Sequence, residues 1–161
     1  MEPNHAAPRL RAGYTLVELT VVITILGVVS ATIAPRFFTQ SAFSERGYAD
    51  ELGSALRGTQ KAAVISGCHA RLILAAGSYS AVQQAAAGNA CLTSDSTWPT
   101  PVLGAAGEAI ANSAPSGISA SPTGTFEFDT QGRLAASPGT TITIGARQIT
   151  IDAGTGYVQV Q

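Results

Sequence analysis

The sequence predicts an α+β protein: a long N-terminal membrane-spanning α-helix packed on an antiparallel β-sheet head. Three observations carry that expectation. From Ala12 to Pro35 the chain has a single charged side chain, Glu18. From Tyr48 to Ala63 apolar residues recur at spacings of three and four, the period of a helix with one buried face. From Thr125 onward, short segments alternate strictly between apolar and polar residues, the period of strands with one face on a core.

Composition sets the outer limits. The chain has 161 residues, 45% of them hydrophobic and only 12% charged, which suits one modest head domain and a membrane segment. Removing Met1–Gly13 takes Glu2, Arg9 and Arg11 with it and leaves seven basic against nine acidic residues. Beyond Ser66 there are three arginines (Arg71, Arg133, Arg147) against five acids. No basic patch can be built from three, so nucleic acid is not an expected partner.

In chain order, residues 1–13 read as a leader, with Pro3 and Pro8 disfavouring helix and Arg9 and Arg11 holding it on the cytoplasmic side. Residues 14–35 read as the membrane and assembly helix. Tyr14 to Ala34 would span about 31 Å, enough for a bilayer core. A carboxylate there costs on the order of a few kcal/mol unless it has a dedicated partner. Cleavage after Gly13 would supply one, the α-amino group of Tyr14, one helical turn before Glu18. In a stack of parallel helices the amine of one copy then meets the carboxylate of the next. An ordinary secretory signal would instead need a small-x-small cleavage site, for which Ser30–Ala34 offers weak material. Gly27, Ser30 and Ala31 allow close helix approach, and Pro35 should kink the helix.

Residues 36–66 read as an amphipathic continuation. Its stripe is Tyr48, Leu52, Ala55, Leu56, Thr59, Ala62 and Ala63, with Gly67 as C-cap. Phe37, Phe38 and Phe43 would be interface anchors or subunit contacts. Gly47, Gly53 and Gly58 should weaken its continuity.

Residues 67–161 form the head. His69–Ala75 and Ser78–Gln84 read as a hairpin turning at Ala76-Gly77. Ala85–Ser121 should be mostly connections, with a short helix near Glu108–Asn112. Within it, Trp98 is a lid on the core or an exposed contact residue. Four strands then form a meander around Thr125–Phe128, Thr141–Ile144, Gln148–Ile151 and Tyr157–Val160. Cys68 and Cys91 lie on the outer side, where a disulfide is the simplest reading; its loop is worth about 3 kcal/mol in the chain-entropy model. A metal site using His69 lacks a fourth ligand. Glu127 and Asp129 should share the outward strand face, two carboxylates without the third that calcium would want. No catalytic residue, metal ligand or cofactor is expected: the serines lack a nucleophile-elbow context, and His69 is the only histidine beyond the leader.

The run Gly13-Tyr14-Thr15-Leu16-Val17-Glu18-Leu19 resembles the class III signal of type IV pilins and pseudopilins. In that family a basic leader ends in Gly, an N-methylated aromatic residue follows, and a Glu stands at the fifth mature position. Pro35 falls at mature position 22, where the family carries its kinking proline; Tyr14 departs from the more usual Phe. The resemblance implies a prepilin peptidase and methyltransferase acting at Gly13/Tyr14, and other pilins or pseudopilins as filament partners. It also implies an inner-membrane anchor with a cytoplasmic N-terminus and a periplasmic head, later carried into a pilus or pseudopilus. Ala55-Leu56-Arg57 through Gln60–Cys68, Phe126-Glu127-Phe128-Asp129 with Gly132, and Thr155–Val158 look like the H-type pseudopilins and related minor pilins. Glu45-Arg46-Gly47-Tyr48 with Gly67-Cys68 looks most like the MshC-type minor pilin of the mannose-sensitive haemagglutinin (MSHA) pilus. On this resemblance the chain is expected to be structural. The alternatives are an H-type component of type II secretion and, from another class, a membrane-anchored adhesin whose binding organ is Ala85–Ser121.

Overall fold

The computed structural model describes residues 14–87, 90–92 and 98–161; the side chains of residues 31–41 lie outside that description. The expected leader, residues 1–13, is likewise outside it.

A single helix, α1 (Leu16–Ser66), runs for 51 residues. It starts two residues later than expected because Thr15 caps it. The Thr15 hydroxyl accepts the Glu18 amide N–H at 3.2 Å, and Thr15-x-x-Glu18 is a capping-box spacing. The helix stops at Gly67, whose φ of +65° suits a residue without Cβ, and the Ser66 hydroxyl takes the Cys68 N–H. The glycines do not interrupt it. At Gly53 a Cβ would strike Val160, and at Gly58 it would strike Ile110. Those glycines trade helix propensity for close approach of the head.

The chain divides into two compact units after Thr39, each described by itself. In the first, the large apolar side chains from Leu16 to Val29 are all exposed. Among the described residues no helix is long and apolar enough to cross a membrane; the described side chains of the expected span stop at Ser30. The helical assignment continues through Pro35.

In the second unit the expected hairpin is present as β1 (Ala70–Ala75) and β2 (Ser78–Gln83), paired antiparallel with Ala75 opposite Ser78. Short strands follow: β3 (Ala86–Ala87), β4 (Ala90–Cys91), β5 (Thr100–Pro101), β6 (Ala111–Ser113) and β7 (Ala120–Ser121). The longer ones close the chain: β8 (Gly124–Phe128), β9 (Leu134–Ala136), β10 (Thr141–Ile144), β11 (Arg147–Ile151) and β12 (Val158–Val160).

Two expectations fail here. No helix forms at Glu108–Asn112: Ala109 bridges to Leu103 and β6 pairs with β2, because Gly107 at φ +85° turns the chain back onto the sheet. Nor do the last strands make one meander. β8 joins β1 in a sheet ordered β5-β2-β1-β8-β9, whereas β10, β11 and β12 form a second sheet ordered β12-β11-β10-β7. Alternation marks which face of a strand is buried and carries no record of its neighbour.

Both sheets turn their apolar faces to one core. Leu72, Leu74, Phe126 and Phe128 from the first meet Ile142, Ile144, Ile149, Ile151 and Val158 from the second. Tyr48, Leu52, Ala55, Leu56 and Ala63 of α1 belong to the same cluster, with Thr59 buried and Ala62 packed at its edge. The expected helical stripe is therefore the helix side of the core.

Candidate functional site

The N-terminal motif and the head carry different chemistry. At the helix start Tyr14 is 85% exposed, and Glu18 is exposed one turn later. The Thr15 hydroxyl satisfies one of the free N–H groups of the first turn, that of Glu18. The reciprocal bond of a full capping box, from the Thr15 N–H to the Glu18 carboxylate, is not made. Among the described residues the Glu18 carboxylate has no partner, and it lies in the first turn, where the helix dipole favours negative charge. Gly13 lies outside the described residues.

At the other end of α1, Cys68 and Cys91 form a disulfide with Cα atoms 5.5 Å apart, which rules out both thiols as metal ligands. Phe43 is exposed, while the side chains of Phe37 and Phe38 lie outside the description.

The head contains three polar clusters that the sequence pattern did not reveal. Glu51 accepts hydrogen bonds from the Tyr79 hydroxyl and the Asn112 amide, tying α1 to β2 and β6. Burial, and then this bond, push the Tyr79 phenol well above its ordinary pKa. Tyr48, 6.2 Å from it ring to ring, is raised by burial and by the Glu51 charge. An open groove of about 510 Å³ runs beside this cluster, lined by Glu51, Ser54, Gly58, Glu108 and Asn112.

A second cluster lies on the sheet face away from the core. His69 Nδ1 and Glu127 Oε1 are 2.8 Å apart, and the Arg71 guanidinium lies over the Trp98 ring at 4.5 Å. Trp98 is buried, but against Arg71 and His69, outside the hydrophobic cluster it was expected to cover. Glu127 and Asp129 do not act as a pair. Asp129 Oδ1 instead accepts the Gln131 and Arg133 N–H groups and closes the β8–β9 turn.

The third cluster is a clamp. Gln60 donates its side-chain amide to the carbonyls of Gly132 and Thr155, joining the helix to two turns. Nearby, Asp152 accepts from the hydroxyl and N–H of Thr155, which hold its carboxyl below the usual range. Among the described residues no three His, Cys, Asp or Glu side chains gather as a metal site.

The Thr15 cap and the Asp129 and Asp152 turn bonds join near neighbours in sequence. The contacts of Glu51, Gln60, His69 and Arg71 join residues far apart and leave no local signal.

A family model described as "Prokaryotic N-terminal methylation motif" matches residues 8–34. Comparison with curated proteins and with solved structures yields no match. The methylation motif, preceding an α+β chain with antiparallel sheets, supports a type IV pilin- or pseudopilin-like protein. It points to a structural class rather than an enzyme, and implies processing by a prepilin peptidase and assembly with other pilins.

Proposed function

We propose that this chain is a minor pilin of an MSHA-like type IV pilus, anchored in the inner membrane and assembled through α1. A prepilin peptidase cuts between Gly13 and Tyr14 on the cytoplasmic side and methylates the new Tyr14 amine. Tyr14–Ala34 then spans the bilayer with the head in the periplasm, and the helix leaves the membrane as the filament grows. Pro35 kinks the helix at the end of the span. Glu18 pairs with the terminal amine of a neighbouring subunit and so sets register.

The observation that carries this reading is the matched motif at residues 8–34 together with an exposed Glu18, without a partner among the described residues, in the first turn of α1. The same features fit an H-type pseudopilin of a type II secretion system, and the genes adjacent on the chromosome would distinguish the two. A membrane-anchored adhesin is the reading from another class. The burial of Trp98 weighs against it, since Trp98 was the residue expected to make contact within its binding region, Ala85–Ser121.

The assembly role is tested with Glu18→Ala in the full chain. The variant should insert and be cleaved normally yet fail to enter filaments. Filament incorporation equal to that of the unaltered chain would refute the role given to Glu18.

A further inference from the structure

Two anomalies meet at one point of the head. Arg71 Nε is buried and has no hydrogen-bond partner among the described residues. Trp98, whose ring lies over that guanidinium, has a φ of +49°, a left-handed conformation uncommon for any residue but glycine and strained for a bulky one. A buried donor is nearly always paired, so an unpaired one calls for an explanation. A guanidinium stacked on an aromatic ring keeps its N–H groups at its rim, pointing away from the ring. The Trp98 contact therefore holds the charge of Arg71 but does not satisfy its Nε.

Among the described residues no neighbouring acceptor reaches Arg71 Nε. Glu127 stands directly across the strand pair from Arg71, but its Oε1 faces His69 Nδ1 at 2.8 Å and its carboxylate forms no ion pair with the guanidinium. The Gln84 side-chain oxygen takes the His69 N–H. The strand partner on the other side is Val82, which has no polar side chain.

We infer that Arg71, covered by Trp98, is an anion-binding site of the head, selective for a carboxylate. The paired Nε–H and Nη–H of an arginine match the two oxygens of a carboxylate in a fork geometry. Binding brings the anion to the rim of the guanidinium, in the plane of the group, and so changes the electrostatic surroundings of the Trp98 ring stacked 4.5 Å over Cζ. The Glu127 carboxylate beside the site repels a polyanion more strongly than a monoanion, so the site takes a small monoanion in preference to a polyanion.

The chain contains one tryptophan, so its fluorescence reports on this site alone. The full chain in detergent micelles is titrated near neutral pH with sodium acetate at fixed ionic strength, with sodium chloride and sodium phosphate as parallel arms. A saturable fluorescence change with acetate, absent with chloride and weaker with phosphate, is expected. In Arg71→Lys, which keeps the charge but loses the fork, half-saturation should rise about tenfold. No saturable response to acetate, an equal response to chloride, or an unchanged response in Arg71→Lys would overturn the site. Saturation by phosphate with acetate silent would overturn the carboxylate assignment. Should Arg71→Lys fail to fold, the Nε–H proton resonance of Arg71 in the unaltered chain decides. A downfield shift on adding acetate supports the site, and an unmoved resonance refutes it.

Discussion

One helix is used in two opposite ways. From Leu16 to Val29 its large apolar side chains keep between 45% and 78% of their surface exposed. From Tyr48 to Ala63 the same helix buries one stripe almost completely, with Leu52, Leu56 and Ala63 at 0% exposure. The backbone is helical in both stretches; surroundings and sequence differ. The second stretch is amphipathic and has both sheets of its own head to pack on. The first carries apolar side chains on every side around the single charge of Glu18, and a helix of that kind needs an apolar medium or other helices around it. The contrast teaches that the stability of the head and the role of the N-terminal helix are separable, and substitutions in each should be read by different experiments.

The largest expected effect is in the core. Phe126→Ala should lower the unfolding free energy of the head by about 3–5 kcal/mol, measured by denaturant unfolding of the full chain in detergent. Val21→Ala, a truncation in the exposed stretch, should change the same quantity by less than about 0.5 kcal/mol. Equal losses from the two would break the comparison.

Next comes the junction of two turns. Gly156 has a φ of +68°, and a Cβ there would run into the Gly132 carbonyl and the Gln60 amide. Gly156→Ala should cost about 1–3 kcal/mol and loosen the clamp on α1, seen as faster amide exchange at Gly132 and Thr155.

A smaller effect sharpens the comparison by pH. The Tyr79 phenol is raised above its ordinary value by burial and by its bond to Glu51. A group with a raised folded-state pKa contributes stability that is whole below its unfolded pKa, near 10, and is lost as pH rises above it. Head stability should therefore fall as pH climbs past about 10. Tyr79→Phe should remove about 1 kcal/mol at neutral pH through the lost hydrogen bond. It should also reduce the alkaline slope. A slope unchanged in Tyr79→Phe would contradict the raised pKa of the Tyr79 phenol.

Much of the fold was legible because it rests on local patterns. The stripe Tyr48–Ala63, the hairpin at Ala76-Gly77, the cap at Gly67 and the alternating strands are each written in neighbouring residues. The pairing of β8 with β1 was not, since alternation is indifferent to partners. Nor was the strand at Ala111–Ser113, whose pairing to β2 outweighs a weak local preference for helix. Gly53 and Gly58 read as flaws in a helix because the side chains that need the space, Val160 and Ile110, come from distant segments. The N-terminal motif was legible from a dozen adjacent residues. The Arg71, Trp98, His69 and Glu127 cluster was invisible, because three separate segments bring it together.

The most direct test of the account is the N-terminus itself. The protein is recovered from membranes of cells with and without the prepilin peptidase, and its intact mass and N-terminal sequence are determined. The account predicts a chain beginning at methylated Tyr14 when the peptidase is present, and one retaining Met1–Gly13 when it is absent. A chain that keeps Met1 in both, or is cut near Ala34, would contradict it, and the assembly role of Glu18 would fall as well.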